Sequence, residues 1–292
     1  MGSIETKRMS ALTRDEVRKA VQLALDEDIG SGDATSLAVI PPALDSRANM
    51  VAREPMVVAG IALAMESFRA RSNSVTMQQR VEDGQSAKAG QSLLFIEGST
   101  QALLTAERVA LNFIQRLSGV ATLTAQYVRA IQGTKAKILD TRKTTPGWRR
   151  LEKYAVSCGG GHNHRFGLYD MILIKDNHLA ALRDARPNPV AAAVKLARAK
   201  YPQLKVEVEA DTVAQAEQAA EAGADIILLD NMALDQLRAT VRLINGLAKT
   251  EASGGVNLQT VRAIAETGVD FISVGALTHS ARSVDIGLDF VP

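Results

Sequence analysis

The chain has 292 residues, of which 46% are hydrophobic and 23% are charged, and its net charge is +2. This composition is typical of a soluble globular protein, and so small a net charge argues against nucleic acid or a membrane surface as a partner. No apolar stretch reaches the roughly 18 residues that a membrane span needs. The single cysteine, Cys158, excludes an intrachain disulfide and fits a reducing compartment. We therefore expect a cytoplasmic protein with one large and one smaller domain.

The first part of the chain predicts a small α+β domain. Thr13-Arg14-Asp15-Glu16 is a capping box, and apolar residues at helical spacing follow it. From Thr100 to about Ile131 the pattern predicts long helices with a break at Gly119. We therefore place an N-terminal α+β domain at 1–119 and expect the tail, 280–292, to pack back on it. Between the first helix and Thr100, β-like segments separated by glycine-bearing turns lie at 48–51, 56–59, 75–81 and 92–97.

Strands and helices alternate through the second domain, 120–279. The predicted strands are 136–141, 171–175, 204–209, 225–230, 249–253 and 270–275, with a long loop after the first. The predicted helices are 180–200, 212–222, 233–247 and 257–267. This alternation is typical of short parallel βα units. A doubly wound open sheet is the alternative, but its dinucleotide fingerprint is absent after the first strand. The sequence favours an α/β protein with a TIM-like parallel barrel, incomplete or irregular, beside the smaller α+β domain.

Basic residues follow the first two of these strands, and another lies in the loop between them. Arg142 and Lys143 come after the first strand, Arg165 lies in the loop, and Lys175 comes after the second. Because barrel enzymes place their chemistry at strand C-termini, these side chains should converge on one mouth. Like charges about 6 Å apart repel by roughly 3 kcal/mol at an effective dielectric near 20, so such a cluster needs an anion. Arginines further suggest planar carboxylates or phosphates.

Acidic and glycine-rich strand ends accompany this cationic cluster. Glu209 and Asp230 each end a strand, where carboxylates beside a phosphate site hold Mg²⁺ or face a developing positive charge. Pairing with Lys143 or Lys175 is the structural alternative. The glycine-rich strand ends predict a phosphate-binding cradle, formed by backbone N–H groups before a helix beginning near Asn257. The cradle is predicted at Ser253, Gly254, Gly255, Gly275 and Ala276.

Several segments in fixed order resemble those of the quinolinate phosphoribosyltransferase family. They include Asp140-Thr141-Arg142-Lys143-Thr144-Thr145-Pro146-Gly147, Gly161-His162-Asn163-His164-Arg165, Ile174-Lys175-Asp176-Asn177-His178, Glu207-Val208-Glu209, Leu229-Asp230-Asn231 and Ser253-Gly254-Gly255. The resemblance covers nearly the whole chain. It implies transfer of phosphoribose from 5-phosphoribosyl-1-pyrophosphate to quinolinate, with loss of CO₂ and pyrophosphate. The product implied is nicotinate mononucleotide, a precursor of NAD, and the cofactor implied is Mg²⁺.

The resemblance also implies a role for each site residue. Those implied to bind quinolinate are Thr141, Arg142, His164, Arg165, Lys175 and, from the neighbouring subunit, Arg108. Lys143, Glu209 and Asp230 are implied to act in catalysis on the phosphoribosyl donor and its Mg²⁺, which Glu209 and Asp230 hold directly or indirectly. Those implied to bind phosphate are Lys143, Ser253, Gly254, Gly255, Val274, Gly275 and Ala276. A homodimer with shared active sites is implied, or a hexamer built from three dimers.

Beside the quinolinate phosphoribosyltransferase reaction, alternatives stay open at this point, the first of them a lyase. Lys175 at a strand end would also suit a Schiff-base lyase, although such an enzyme has no need of a phosphate cradle and two acidic strand ends together. A phosphoribosyltransferase acting on another pyridine carboxylate is the second hypothesis. A catalytically silent protein that binds an anionic metabolite is the third. Two arginines and a lysine favour an acceptor with two carboxylates over one.

Overall fold

The structure, a computed structural model, describes residues 8–291, so the first seven residues of the predicted N-terminal domain lie outside it. The helices are α1 Arg14–Ile29, α2 Ala34–Val39, α3 Ile61–Arg69, α4 Thr100–Ala130, α5 Arg149–Cys158, α6 Asp176–Ala181, α7 Pro189–Lys200, α8 Val213–Glu221, α9 Leu234–Ile244, α10 Val261–Ala265 and α11 Ala276–His279. The strands are β1 Asp45–Ala52, β2 Met56–Val57, β3 Thr76–Gln79, β4 Ser86–Ala87, β5 Ser92–Ser99, β6 Lys137–Leu139, β7 Ile172–Ile174, β8 Val206–Ala210, β9 Ile226–Asp230, β10 Lys249–Ser253, β11 Phe271–Ser273 and β12 Ile286–Val291. None of the described helices is both long and apolar enough to span a membrane.

The described chain forms two units. The N-terminal unit comprises 9–125, 150–160 and the tail from residue 280, and the barrel unit is built mainly from 126–149 and 161–279. In the N-terminal unit an antiparallel sheet has the strand order β12-β1-β5-β3, and β2 pairs with β4. Inward-facing residues of β1 and β5 alternate with outward-facing ones, as the two-residue period of a strand requires. Met50, Leu94 and Phe68 are fully buried in its core.

Helix α1 begins where the capping box predicts. Thr13 Oγ1 accepts a hydrogen bond from Glu16 N at 3.2 Å, and Thr13 N donates to Glu16 Oε2 at 2.8 Å. The break predicted at Gly119 is wrong, because α4 runs through it without interruption. A Cβ at this position would lie 1.9 Å from the Arg282 carbonyl oxygen. The glycine therefore permits a close backbone approach inside a helix.

The barrel unit contains six parallel strands in the order β6-β11-β10-β9-β8-β7. Beside β6 a parallel bridge joins Leu139 to His162, and no pairing joins β7 to that edge in the described residues. Strands β8 and β9 are buried along almost their whole length, as expected for a parallel sheet with helices outside it. This arrangement confirms the prediction of a TIM-like barrel that is incomplete.

Two helical predictions for this half of the chain need correction. The predicted helix 180–200 is two helices, α6 and α7, because Asn188 caps a new helix that has Pro189 in its first turn. Asn188 Oδ1 accepts from Ala191 N at 2.8 Å. The loop predicted after the first strand contains α5, whose apolar face is short but fully buried at Ala155 and Val156.

Candidate active site

A cavity of about 790 Å³ opens at the C-terminal ends of the barrel strands. Thirteen of the predicted site residues line it: Thr141, Arg142, Lys143, His164, Arg165, Lys175, Glu209, Asp230, Ser253, Gly254, Gly255, Gly275 and Ala276. Segments far apart in sequence meet there because parallel strands present their carboxyl ends at the same edge. The structure thus brings the cationic, acidic and glycine-rich groups into one cavity.

Two predicted site residues do not line this cavity. Val274 is 1% exposed, and its backbone N–H donates to the Leu139 carbonyl at 2.9 Å, so it extends the sheet hydrogen bonding. Arg108 lies exposed on α4 in the N-terminal unit. The proposed role of Arg108 in a neighbouring subunit's site stays a prediction.

The cationic side of the cavity is formed by Arg142, Arg165 and Lys175. Arg165 Nη1 donates to the Met171 carbonyl at 3.2 Å, which fixes the guanidinium from one side. Burial, and then the charge of Arg142, lower the pKa of Arg165 from its usual range. Arg142 Nε is buried without a hydrogen-bond partner among the described residues. Two crowded guanidinium groups, one with an unused donor, fit a planar anion such as a carboxylate.

Glu209 and Asp230 form the acidic side. Lys175 Nζ lies 3.7 Å from Glu209 Oε2, so the alternative pairing with Lys175 is present as a loose ion pair. The pKa of Glu209 is raised first by burial, which outweighs the lowering effect of Lys175, and Asp230 raises it further. Two carboxylates that repel each other at the end of adjacent strands suit a divalent cation completed by phosphate oxygens.

The glycine-rich side depends on close approaches that only glycine permits. Gly254 has φ +91°, and a Cβ there would lie 2.0 Å from Asn231 Oδ1. Asn231 itself has φ +53°, and its Nδ2 donates to Asp230 Oδ2 at 2.7 Å. A Cβ on Gly275 would lie 3.1 Å from both Lys143 Cδ and His279 Nε2. Neighbouring side chains thus fill the Cβ position at Gly254 and Gly275, whereas a Cβ on Gly255 would meet nothing within 4 Å.

The helix predicted to begin near Asn257, after the glycine segment Ser253–Gly255, begins later than predicted. Residues 257–260 form a turn in which Asn257 N donates to Thr260 Oγ1 at 3.0 Å, and α10 starts only at Val261. Any phosphate at Ser253–Gly255 would therefore meet loop N–H groups rather than the N-terminus of a helix. Such a turn of successive N–H groups is also suited to anions.

Cys158 is not a catalytic nucleophile candidate. Burial, and then the nearby Asp83 carboxylate, raise the pKa of its thiol to about 12. At neutral pH the thiolate that a nucleophile requires is therefore scarce.

Sequence reasoning missed the polar residues that lie beneath the mouth of the barrel. We call Lys175, Glu209, Asp230, Ser253 and Gly275 the mouth layer, and the residues two positions earlier on the same strands, Leu173, Glu207, Leu228, Glu251 and Ser273, the lower layer. Residues two apart on a strand share a face. Glu207 and Glu251 are fully buried, and Glu251 and Ser273 line the cavity. The missed signal is a glutamate within an apolar strand at this spacing.

Comparison with known proteins extends these observations. The family described as "Quinolinate phosphoribosyl transferase, C-terminal domain" matches residues 120–289, and the corresponding N-terminal domain family matches residues 33–118. The chain belongs to the quinolinate phosphoribosyltransferase family. The two matches meet between residues 118 and 120, inside the continuous helix α4.

Curated relatives and solved structures of this family are similar over nearly the whole chain. The chain is 43% identical over 274 residues to the probable nicotinate-nucleotide pyrophosphorylase [carboxylating] of Bacillus subtilis, covering 94% of this chain and 93% of the relative. It is 44% identical over 283 residues to the nicotinate-nucleotide pyrophosphorylase [carboxylating] of Mycobacterium leprae, covering 94% and 97%. The solved nicotinate-nucleotide pyrophosphorylase of Francisella tularensis has a TM-score of 0.92 and 38% identity, covering 98% and 100%.

Proposed function

We propose that this chain transfers phosphoribose from 5-phosphoribosyl-1-pyrophosphate to quinolinate, releasing CO₂ and pyrophosphate and forming nicotinate mononucleotide for NAD synthesis. It is thus a pentosyltransferase of class EC 2.4.2.19. The observation that carries the proposal is one cavity with three cations on one side, two carboxylates on another and two glycine segments between their strands. Family membership supports the same reaction.

The cationic side would hold the acceptor. Arg142, Arg165 and Lys175 match the two carboxylates of quinolinate in number and in charge, and arginine binds planar carboxylates through parallel hydrogen bonds. Loss of CO₂ breaks the bond to the ring carbon beside the nitrogen and leaves an electron pair there, which takes up a proton from water to give the nicotinate ring. The positive side of the cavity and the newly attached ribose would stabilise that charge. A monocarboxylate acceptor would leave at least one of these cations without a partner.

The acidic and glycine-rich sides would hold the donor. Glu209 and Asp230 would bind Mg²⁺ directly or through water, and this ion would neutralise the pyrophosphate leaving group. The same carboxylates would stabilise the positive charge that develops on the ribose as pyrophosphate departs, which is an electrostatic role. Lys143 would contact the donor, and the backbone at Ser253–Gly255 and Gly275–Ala276 would receive its 5-phosphate.

A homodimer with shared sites is part of the proposal, alone or within a hexamer. Arg108 is exposed on α4, and the partner subunit's Arg108 would complete the acceptor site. Mixing Arg108→Ala protein with Lys175→Ala protein should restore some activity through hybrid dimers once subunits exchange. No recovery after demonstrated exchange would show that Arg108 does not act across subunits.

The direct test is incubation of the purified protein with quinolinate, phosphoribosyl pyrophosphate and Mg²⁺. We expect nicotinate mononucleotide, pyrophosphate and CO₂ in equal amounts. Chelation of Mg²⁺ should abolish product formation, and a heat-inactivated sample is the matched control. Release of CO₂ without nucleotide, or no reaction with folded protein, would reject the proposal.

The Schiff-base alternative has no specific support in the structure. Lys175 is 48% exposed and lies 3.7 Å from the Glu209 carboxylate, whereas an activated Schiff-base lysine lies desolvated in an apolar pocket or beside another cation. Borohydride trapping with carbonyl substrates should therefore leave Lys175 unmodified. A trapped adduct on Lys175 would revive the lyase hypothesis.

A further inference from the structure

Two glutamates of the lower layer carry charge to a place where a barrel normally packs apolar side chains. Glu207 on β8 and Glu251 on β10 are both fully buried. Three of their carboxylate oxygens, Glu207 Oε1 and Oε2 and Glu251 Oε2, have no hydrogen-bond partner among the described residues. Buried carboxylates are costly unless they serve a partner. Their nearest common neighbour is the imidazole of His164.

Four contacts of His164 link it to the carboxylates and to the Arg165 backbone. Its Nδ1 accepts a hydrogen bond from Arg165 N at 2.8 Å, and its own backbone N–H donates to Asp140 Oδ1 at 2.8 Å. Its Nε2 lies 3.0 Å from Glu207 Oε2 and 3.6 Å from Glu251 Oε1. These last two contacts are electrostatic, since neither has hydrogen-bond geometry, and they place Nε2 between the two carboxylates.

The contact at Nδ1 decides which form of the imidazole this arrangement holds. A nitrogen that accepts a hydrogen bond carries no proton, so the neutral ring of His164 has its proton on Nε2. The nitrogen that carries this proton lies near both carboxylates. A metal ion among His164, Glu207 and Glu251 would need the lone pair of Nε2 and would force a proton onto Nδ1, against the N–H of Arg165. The cluster therefore suits a proton better than a metal.

Burial limits the negative charge that Glu207 and Glu251 can carry beside His164. Burial, and then the neighbouring Glu207 carboxylate, raise the pKa of Glu251 to about 8, while Ser273 Oγ donates a hydrogen bond to it. Asp140 is the other buried acid nearby, and Asn163 Nδ2 donates to it at 2.6 Å. The raised pKa favours the protonated form of Glu251, which reduces repulsion beneath a cavity that receives anions.

We propose that Glu207 and Glu251 are positioning residues of the acceptor site, which orient the His164 imidazole so that its Nδ1 accepts the Arg165 N–H, and which thereby fix the backbone that presents Arg165. Either carboxylate lies close enough to Nε2 to do this. The inference rests on the proposed function, in which Arg165 binds an acceptor carboxylate. Neither glutamate needs to touch the substrate.

The kinetic test is a double-mutant cycle with Glu207→Gln, Glu251→Gln and the double variant. Because one carboxylate can serve when the other is lost, each single variant should raise the quinolinate KM by about threefold and the double by about 30-fold or more. The KM for phosphoribosyl pyrophosphate should stay the same in all three. Glu217→Gln, an exposed glutamate of α8, is the matched control. Effects that multiply independently, or an equal rise in both KM values, would overturn the proposal.

A second readout does not depend on activity. The chain has four histidines, so ¹⁵N-labelled histidine signals can be assigned to His164 by their loss in His164→Asn. We expect an unprotonated Nδ1 and a protonated Nε2 at neutral pH, unchanged when Zn²⁺ alone is added. An imidazolium, the opposite tautomer, or a shift of Nε2 on binding one equivalent of Zn²⁺ would overturn the proposal. Absence of product from the wild-type protein with this tautomer intact would count against the proposed function alone.

Discussion

The mouth layer and the lower layer of the barrel use the same strands for different purposes. Glu209 in the mouth layer is partly exposed and faces Lys175 and Asp230, whereas Glu207, two residues earlier, is fully buried and faces His164. A charge at the mouth can exchange water for a ligand, but Glu207, one pleat below, does not line the cavity and faces other protein groups. Depth along a strand therefore separates binding groups from groups that position them.

The largest effect should follow removal of a cation at the mouth. Arg165→Ala should lower kcat/KM for quinolinate by about 100-fold or more, because a carboxylate would be left in the cavity without its partner. Steady-state kinetics with each substrate varied would measure this. Arg262→Ala is the control, since Arg262 is exposed and pairs with Glu266 on the surface. Equal losses in both variants would remove the distinction between mouth and surface charge.

The acids of the mouth should give the next largest effect. Glu209→Gln or Asp230→Asn should lower kcat/KM for phosphoribosyl pyrophosphate by about 10- to 100-fold and raise the Mg²⁺ concentration needed for half-maximal rate. Asp211→Asn is the control, because Asp211 is an exposed acid just past the end of β8. An unchanged Mg²⁺ requirement in both mouth variants would show that neither carboxylate meets the metal.

A smaller effect should come from the cradle, where shape matters more than charge. In Gly254→Ala the new Cβ would collide with Asn231 Oδ1, so the KM for phosphoribosyl pyrophosphate should rise by about tenfold, together with a loss of about 1–2 kcal/mol in stability. Gly223→Ala is the matched control, because Gly223 has φ +80° but nothing within 4 Å of its Cβ position. It should lose stability alone. A normal donor KM in Gly254→Ala would argue against phosphate at this loop.

The smallest effect should come from an ion pair at the surface of the N-terminal unit. Arg282 and the Asp285 N–H lower the pKa of Glu54 to about 2. Because this folded-state pKa lies below the usual 4.5, the pair's contribution is fully present above pH 4.5 and is lost as the pH falls toward 2. Glu54→Gln should lower the free energy of unfolding by less than about 1 kcal/mol at neutral pH, with no difference near pH 2. Denaturant titrations of both proteins at both pH values would measure this. The same difference in free energy of unfolding at pH 7 and near pH 2 would contradict the predicted pH dependence.

The sequence predicts the mouth layer well because each of its residues ends a predicted strand. Lys175, Glu209 and Asp230 are recognisable as charged residues at the ends of predicted strands. The alternation of those strands with helices predicts that they meet at the same end of the barrel, and all three line the cavity. Glu207 and Glu251 were missed because the same reasoning considers only the residues that end the strands, and not those two positions earlier on the same face. The continuity of α4 through Gly119 also escaped it, since the partner of that glycine, Arg282, lies far along the chain.

The ratio of kcat/KM for quinolinate to that for nicotinate, measured with saturating phosphoribosyl pyrophosphate and Mg²⁺, tests most directly whether the cations of the mouth select a diacid. We predict a preference for quinolinate of about 100-fold or more, which falls sharply in Arg165→Ala, since each unsatisfied buried charge penalises the monoacid. Equal use of the two acids by the wild-type protein would contradict this explanation of the cationic side of the cavity.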